Sequence, residues 1–187
     1  MRMLREFRAS LIERVAVTTL ATAVSLAPIA AATAQSASSG CHARHYAAYA
    51  DAQRDYQRTV ERVLARDDPS LRELAALARA EQIARIDARQ RAVESLLATS
   101  PALIRVDRPV NQWLDWGRAE SERLSRSDSV YARLDATARA AAEGVRGHAL
   151  WPKVRQAMRD RVQSSPEHRA ALDRLTAAMN AAPRCGK

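Results

Sequence analysis

The sequence predicts an all-α protein, an antiparallel bundle of four to six helices behind a cleaved signal peptide. Helix formers (Ala, Arg, Leu, Glu, Gln) dominate the 187 residues, which contain 5 Gly and 1 Phe. No stretch alternates apolar and polar residues as a half-buried strand does; apolar residues recur instead at spacings of three and four. The segments between these stripes are short and carry Pro, Gly or capping residues.

The first 34 residues have the three parts of a leader. Arg2, Arg5, Arg8 and Arg14 outnumber Glu6 and Glu13. An apolar run from Val15 to Ala27 follows, and Pro28 interrupts it. Ala32-Thr33-Ala34 then supplies the small residues a signal peptidase accepts, so Gln35 is the expected new N-terminus. Thr, Ser and Pro dilute the run too much for a retained membrane helix, which needs about 20 strongly apolar residues. Gly40-Cys41 has the small residue that precedes a lipidated Cys, but Ser38 stands where an aliphatic residue is expected. The organisation predicted is a leader over 1–34, a polar spacer over 35–41 and one helical domain over 42–187, with an internal boundary near 99–109.

Within that domain, Tyr46, Tyr49, Gln53, Tyr56, Val60 and Val63 form one stripe and predict a helix over 42–66. Asp67-Asp68-Pro69 ends it: Asp68 can cap the next helix and Pro69 suits its first turn. That second helix, 69–98, changes phase. Leu71, Leu74 and Ala78 share one face; Ile83, Ile86, Val93 and Leu97 share another. Either it bends near 79–82 or its halves pack on different neighbours. Thr99-Ser100-Pro101 and Asp107-Arg108-Pro109 bracket a connector expected to bury Leu103, Ile104 and Val106.

Helices are then expected over 109–125, with Val110, Trp113, Leu114 and Leu124 on one side, and over 128–143, where Gly144 and Gly147 break the chain. Two more are expected over 152–163 and 166–182. Ser164-Ser165-Pro166-Glu167 is a helix start, and His168, Leu172, Leu175 and Met179 mark the inner face of the last helix.

Export makes sense of the two cysteines. Cys41 lies near the expected mature N-terminus and Cys185 near the C-terminus, and both would meet an oxidising compartment, periplasmic or extracellular, so a Cys41–Cys185 disulfide is predicted. The formal net charge is +9, but it comes from Arg alternating with acids along the chain, with Lys153 and Lys187 the lysines. An exported chain with dispersed charge does not point to nucleic acid. A basic surface still attracts polyanions of the envelope weakly.

Four constellations are candidates for function. Cys41, His42 and His45 have ligand chemistry, and a copper or zinc site there is an alternative to the disulfide. Arg54, Arg58, Arg62 and Arg66 form a ridge suited to carboxylate or phosphate, or to solvated pairing with Asp51, Asp55 and Glu61. Trp116 lies on the flank of its stripe beside Arg118 and Arg123, as a partner contact would. Tyr46, Tyr49 and Tyr56 read as a helix interface with hydroxyls at the rim. His-Glu-x-x-His, Gly-x-Ser-x-Gly, phosphate-loop and dinucleotide motifs are absent, and no cofactor is implied.

Cys41, Tyr46, Tyr56 and the Arg/Gln-rich helix after them resemble small exported lysozyme inhibitors over part of the chain. The Trp-containing motif and closing Cys of that family are missing, with Ile83 and Ala92 in that neighbourhood. The length, leader and helical character are similar to exported chorismate mutases, which imply Arg and Lys on facing helices around a dicarboxylate; Lys153 is the one internal lysine here. The function expected is an exported, non-catalytic module of the envelope or extracellular space. Its partner is a protein, another envelope component or a second copy of the chain, met through an amphipathic helical face. Metal binding and a small enzyme with an Arg-lined pocket are the alternatives.

Overall fold

The computed structural model describes residues 27–183 and 185, with side chains from 38 onward. Most of the expected leader and Lys187 lie outside the described residues. Six α-helices make up the described chain, and no strand occurs among the described residues.

Helix α1 spans Ala27–Asp67. It runs unbroken through 35–41, where a polar spacer was expected. Gln, Ala and Ser continue a helix at modest cost, Gly40 adds about 1 kcal/mol, and Pro28 sits in the first turn, where its missing N–H is harmless. The helix stops at Asp68, whose carboxylate accepts from the backbone N and the hydroxyl of Ser70 and starts a short 3-10 turn, Pro69–Leu71. Those hydrogen bonds to Ser70, with one to Lys153, hold the Asp68 carboxyl at about 2.

Helix α2, Arg72–Thr99, folds back along α1. Ser39 donates to the Leu97 carbonyl, Arg54 pairs with Asp87 and Arg79 with Glu61, so numbers rise on one helix as they fall on the other. Helix α4, Ser129–Gly147, packs on α2, and α6, Pro166–Asn180, packs on α1. Helix α3, Arg118–Ser127, leads into α4, while α5, Trp151–Ala157, continues as a π-helical turn, Met158–Val162.

Apolar side chains gather in two clusters along the α1–α2 pair. One joins Tyr46 and Tyr49 to Val93, Leu97, Trp113 and Tyr131. The other joins Val63 and Leu64 to Leu74, Val145, Val154 and Val162. This division explains the phase change in α2: Leu74 and Ala75 face the second cluster, while Ala92, Val93, Leu96 and Leu97 face the first. The halves pack on different neighbours. Midway, Gln53, Tyr56 and Val60 of the α1 stripe are only half-buried.

Several sequence expectations need correction. Residues 113–117 are not helical; only a 3-10 turn, Val110–Gln112, precedes α3. Trp113 explains this. Its indole N–H donates to the Arg108 carbonyl at 2.9 Å and its own carbonyl accepts from Arg105, which closes a loop instead of a helix. Val110, Trp113, Leu114 and Leu124 are nonetheless all buried. Leu103 is 54% exposed, so the connector buries Ile104 rather than Leu103. Gly144 lies inside α4, where one glycine costs about 1 kcal/mol, and the buried Val145 anchors the turn beyond it. On α6 the inner face carries His168 and Ala171, and Leu172 is exposed.

Asp128 joins α3, α4 and α2. Its Oδ1 accepts from the backbone N of Val130 and Tyr131, capping α4, and Arg91 on α2 donates to its Oδ2 at 2.8 Å. Burial pushes this carboxyl up, but hydrogen bonds from Tyr131, Arg91 and Ser95 outweigh it and hold it below the usual 3.8. Asp128→Ala removes a cap and strands a guanidinium, an expected loss of about 3 kcal/mol. Urea unfolding at neutral pH checks it. Because the folded carboxyl is the stronger acid, the wild-type advantage is full above the ordinary carboxylate range and shrinks as pH falls through the folded value. A loss under about 1 kcal/mol would show that the cap is replaced by solvent.

Candidate functional site

Beside the C-terminal end of α6, Cys41 on α1 is bonded to Cys185, 144 residues away, with Cα atoms 5.6 Å apart. His42 and His45, one turn apart, both pack on the Trp113 ring, with centroids 5.7 and 5.5 Å away. Burial, and then the charge of His42, lower the His45 pKa against an opposing hydrogen bond that the ring donates to the Ala181 backbone carbonyl. The sulfur of Cys41 is thus occupied and the two imidazoles serve the first apolar cluster. Among the described residues no group of three or more His, Cys, Asp or Glu is placed to hold a metal.

The arginine ridge divides. Arg54 is mostly buried between helices, bonded to Asp51, Asp87 and Gln90, and holds α1 to α2. Arg58 and Arg66 are half-exposed and pair with Asp55 and with Asp67 and Glu167. Arg62 is exposed. These last three turn toward α2, where Arg72 and Arg79 join them around an open groove of about 640 Å³. Ala65 and Glu61 complete its lining. The groove arginines come from two helices; Arg58, Arg62, Arg66 and Arg72 are exposed and Arg79 is half-buried.

Trp116 is half-buried against Tyr131, with ring centroids 6.0 Å apart, and borders a small hollow of about 150 Å³ with Leu103, Glu120 and Arg123. Arg118 is 92% exposed at its side chain, pairs with Glu122 one turn along, and does not line that hollow.

A more enclosed cleft, about 230 Å³, opens between α1, α2, α4 and α5. Its walls are Val60 and Leu64 from α1, Ala75 and Ala78 from α2, Val145 from α4, and Trp151 and Val154 from α5. Polar groups stand at its edge. Tyr56 is hydrogen-bonded to His168 at 2.9 Å, and Glu61 pairs with Arg79 at 2.7 Å. Glu81, itself buried, is held by Arg85 and Gln82. Each charge at the edge is thus neutralised by a neighbour, and the interior is left to apolar carbon. Glu61 and Arg79 also line the arginine groove, so the two depressions share a wall.

Sequence reasoning missed this cleft. Its walls come from four helices, and the only trace along the chain is the polar Gln53 in the stripe of α1, followed by Tyr56 and Val60, which are half-buried. Glu81 was missed too, because a lone Glu on an Arg-rich helix looks like a solvated pair.

No protein-family model matches this chain, no curated protein is significantly similar to it, and no solved structure matches its fold.

Proposed function

We propose that this chain is an exported, non-catalytic binding module, an antiparallel helical bundle that grips a partner polypeptide of the envelope or extracellular space by an apolar anchor side chain. Export is supported by the leader pattern ending at Ala34 and by the pairing of Cys41 with Cys185, which an oxidising compartment sustains. The observation that carries the binding reading is the size and lining of the α1/α2/α4/α5 cleft. At about 230 Å³ it exceeds the cavity of about 150 Å³ that takes benzene, yet lies below the roughly 300 Å³ at which pockets for whole small molecules begin. One Trp, Phe, Leu or Met side chain fits that gap, and such buried anchors dominate protein interfaces.

The apolar surface is therefore a cleft between helices. The exposed large apolar residues Leu77, Leu103, Val130 and Leu172 are scattered over α2, the connector, α4 and α6, and do not make one helical face. Titrating indole or p-cresol into isotope-labelled protein tests the proposal. Shifts are expected at the methyls of Val60, Leu64, Val145 and Val154 and at the Trp151 indole, and Ala78→Met, which fills the cleft, should abolish them. Shifts scattered over the surface, or indifferent to Ala78→Met, would sink the reading.

A further inference from the structure

We infer that the segment anchored in the cleft is acidic: Asp or Glu side chains beside its apolar anchor enter the arginine groove. This rests on the cleft reading above and adds the chemistry of the partner. The two depressions share Glu61 and Arg79, so a chain whose anchor enters one passes over the other.

Five arginines and one glutamate line the groove. Arg79 answers Glu61, while Arg58 and Arg66 answer carboxylates that lie outside the lining. Arg62 and Arg72 are exposed and make no ion pair with a described residue, although Arg62 stands near enough to Glu167 to help lower its pKa. The groove therefore carries positive charge that the described chain leaves unanswered, and guanidinium forks suit carboxylates.

Spacing decides between a peptide and a single phosphate. Arg58, Arg62 and Arg66 follow one another at four-residue intervals on α1, a rise of about 6 Å each. A phosphate needs donors converging within hydrogen-bond distance. Side chains on one face of an extended peptide repeat at about 6.6 Å, which matches the row.

The probe is a random 12-residue peptide display library, panned against the full chain expressed with its own leader and collected oxidised. Selected peptides are then measured by fluorescence anisotropy. The expected peptides carry one aromatic or aliphatic anchor with two or more Asp or Glu beside it. Arg62→Glu combined with Arg72→Glu, two exposed positions, should weaken them at least tenfold with an unchanged circular dichroism spectrum. A peptide with Lys in place of its acids should recover affinity for that variant. Ala78→Met should weaken the selected peptide as well.

The failures separate. Anchored peptides with neutral flanks, unaffected by the charge reversal, overturn the acidic partner and leave the cleft reading standing. Acidic peptides that ignore Ala78→Met overturn both, since the anchor then sits elsewhere. An empty selection also overturns both, and binding to phosphatidylglycerol vesicles alongside it would assign the groove to a lipid surface.

Discussion

Cys185→Ser, or reduction of the wild-type bridge, should lower the thermal midpoint by about 10–20 °C. The bridge closes a loop of 144 residues, nearly the whole described domain. Restricting the unfolded chain to that loop is worth on the order of 5 kcal/mol in the chain-entropy model, and a domain of this size shifts by roughly 2–4 °C per kcal/mol. The folded state also loses a tie, because Cys185 holds the last residues beside α1, where Ala178 and Met179 pack against the first apolar cluster. Thermal melts with and without reductant measure the effect, and intact mass of the oxidised protein shows the bridge as a gain of two hydrogens on reduction. The same spectrum locates the cleavage expected after Ala34. A midpoint that moves by less than about 3 °C would mean that the denatured chain is already compact, so that closing the loop gains little.

Trp113→Ala should be the most damaging single substitution in the core, at about 4–5 kcal/mol. Trp113 is fully buried, the largest of the described side chains to be so, and it touches His42, His45 and Tyr46 of α1 from a segment outside the α-helices. Its removal leaves a cavity that only a loop could collapse to fill, and also frees the Arg108 carbonyl that the indole satisfies. Trp113→Phe separates the two effects. The smaller ring keeps most of the packing but cannot donate, so a loss of about 1–2 kcal/mol is expected. Urea denaturation with unchanged slope is the measurement. If Trp113→Ala costs less than about 2 kcal/mol, the loop repacks and the first cluster does not depend on it.

The legibility of this chain follows the range of the forces that shape it. Helices are stabilised by neighbours three and four residues away, so α2, α4 and α6 were readable within a few residues. Asp68 and Ser165 act as N-caps as their positions suggested, whereas Asp128, placed by its period inside the next helix, caps it. The errors came where a distant contact overrode the local pattern. Trp113 was rightly placed in the core on its spacing, yet that spacing implied a helix which its hydrogen bond to Arg108 replaces. Arg54 belongs by period to the same ridge as Arg58 and Arg62, but it faces Asp87 on α2 and ties the helices together.

The candidate site shows the same division. Arg58, Arg62 and Arg66 could be listed from the chain; that Arg72 and Arg79 come from α2 to face them could not. The place of Trp151 beside Val60 and Val145 likewise depends on how α5 folds back over α1, α2 and α4.

By itself, the sequence determined the all-helical class and the phase break in α2, because both are written in neighbours within one or two turns. It also paired Cys41 with Cys185, the two cysteines of the chain. Only the tertiary structure decided which arginines are tied between helices and which stand in a groove, and that the thinning of the α1 stripe opens a cleft. Those depend on helix rotation and on packing between residues up to a hundred positions apart, for which a periodic pattern along one helix carries no information.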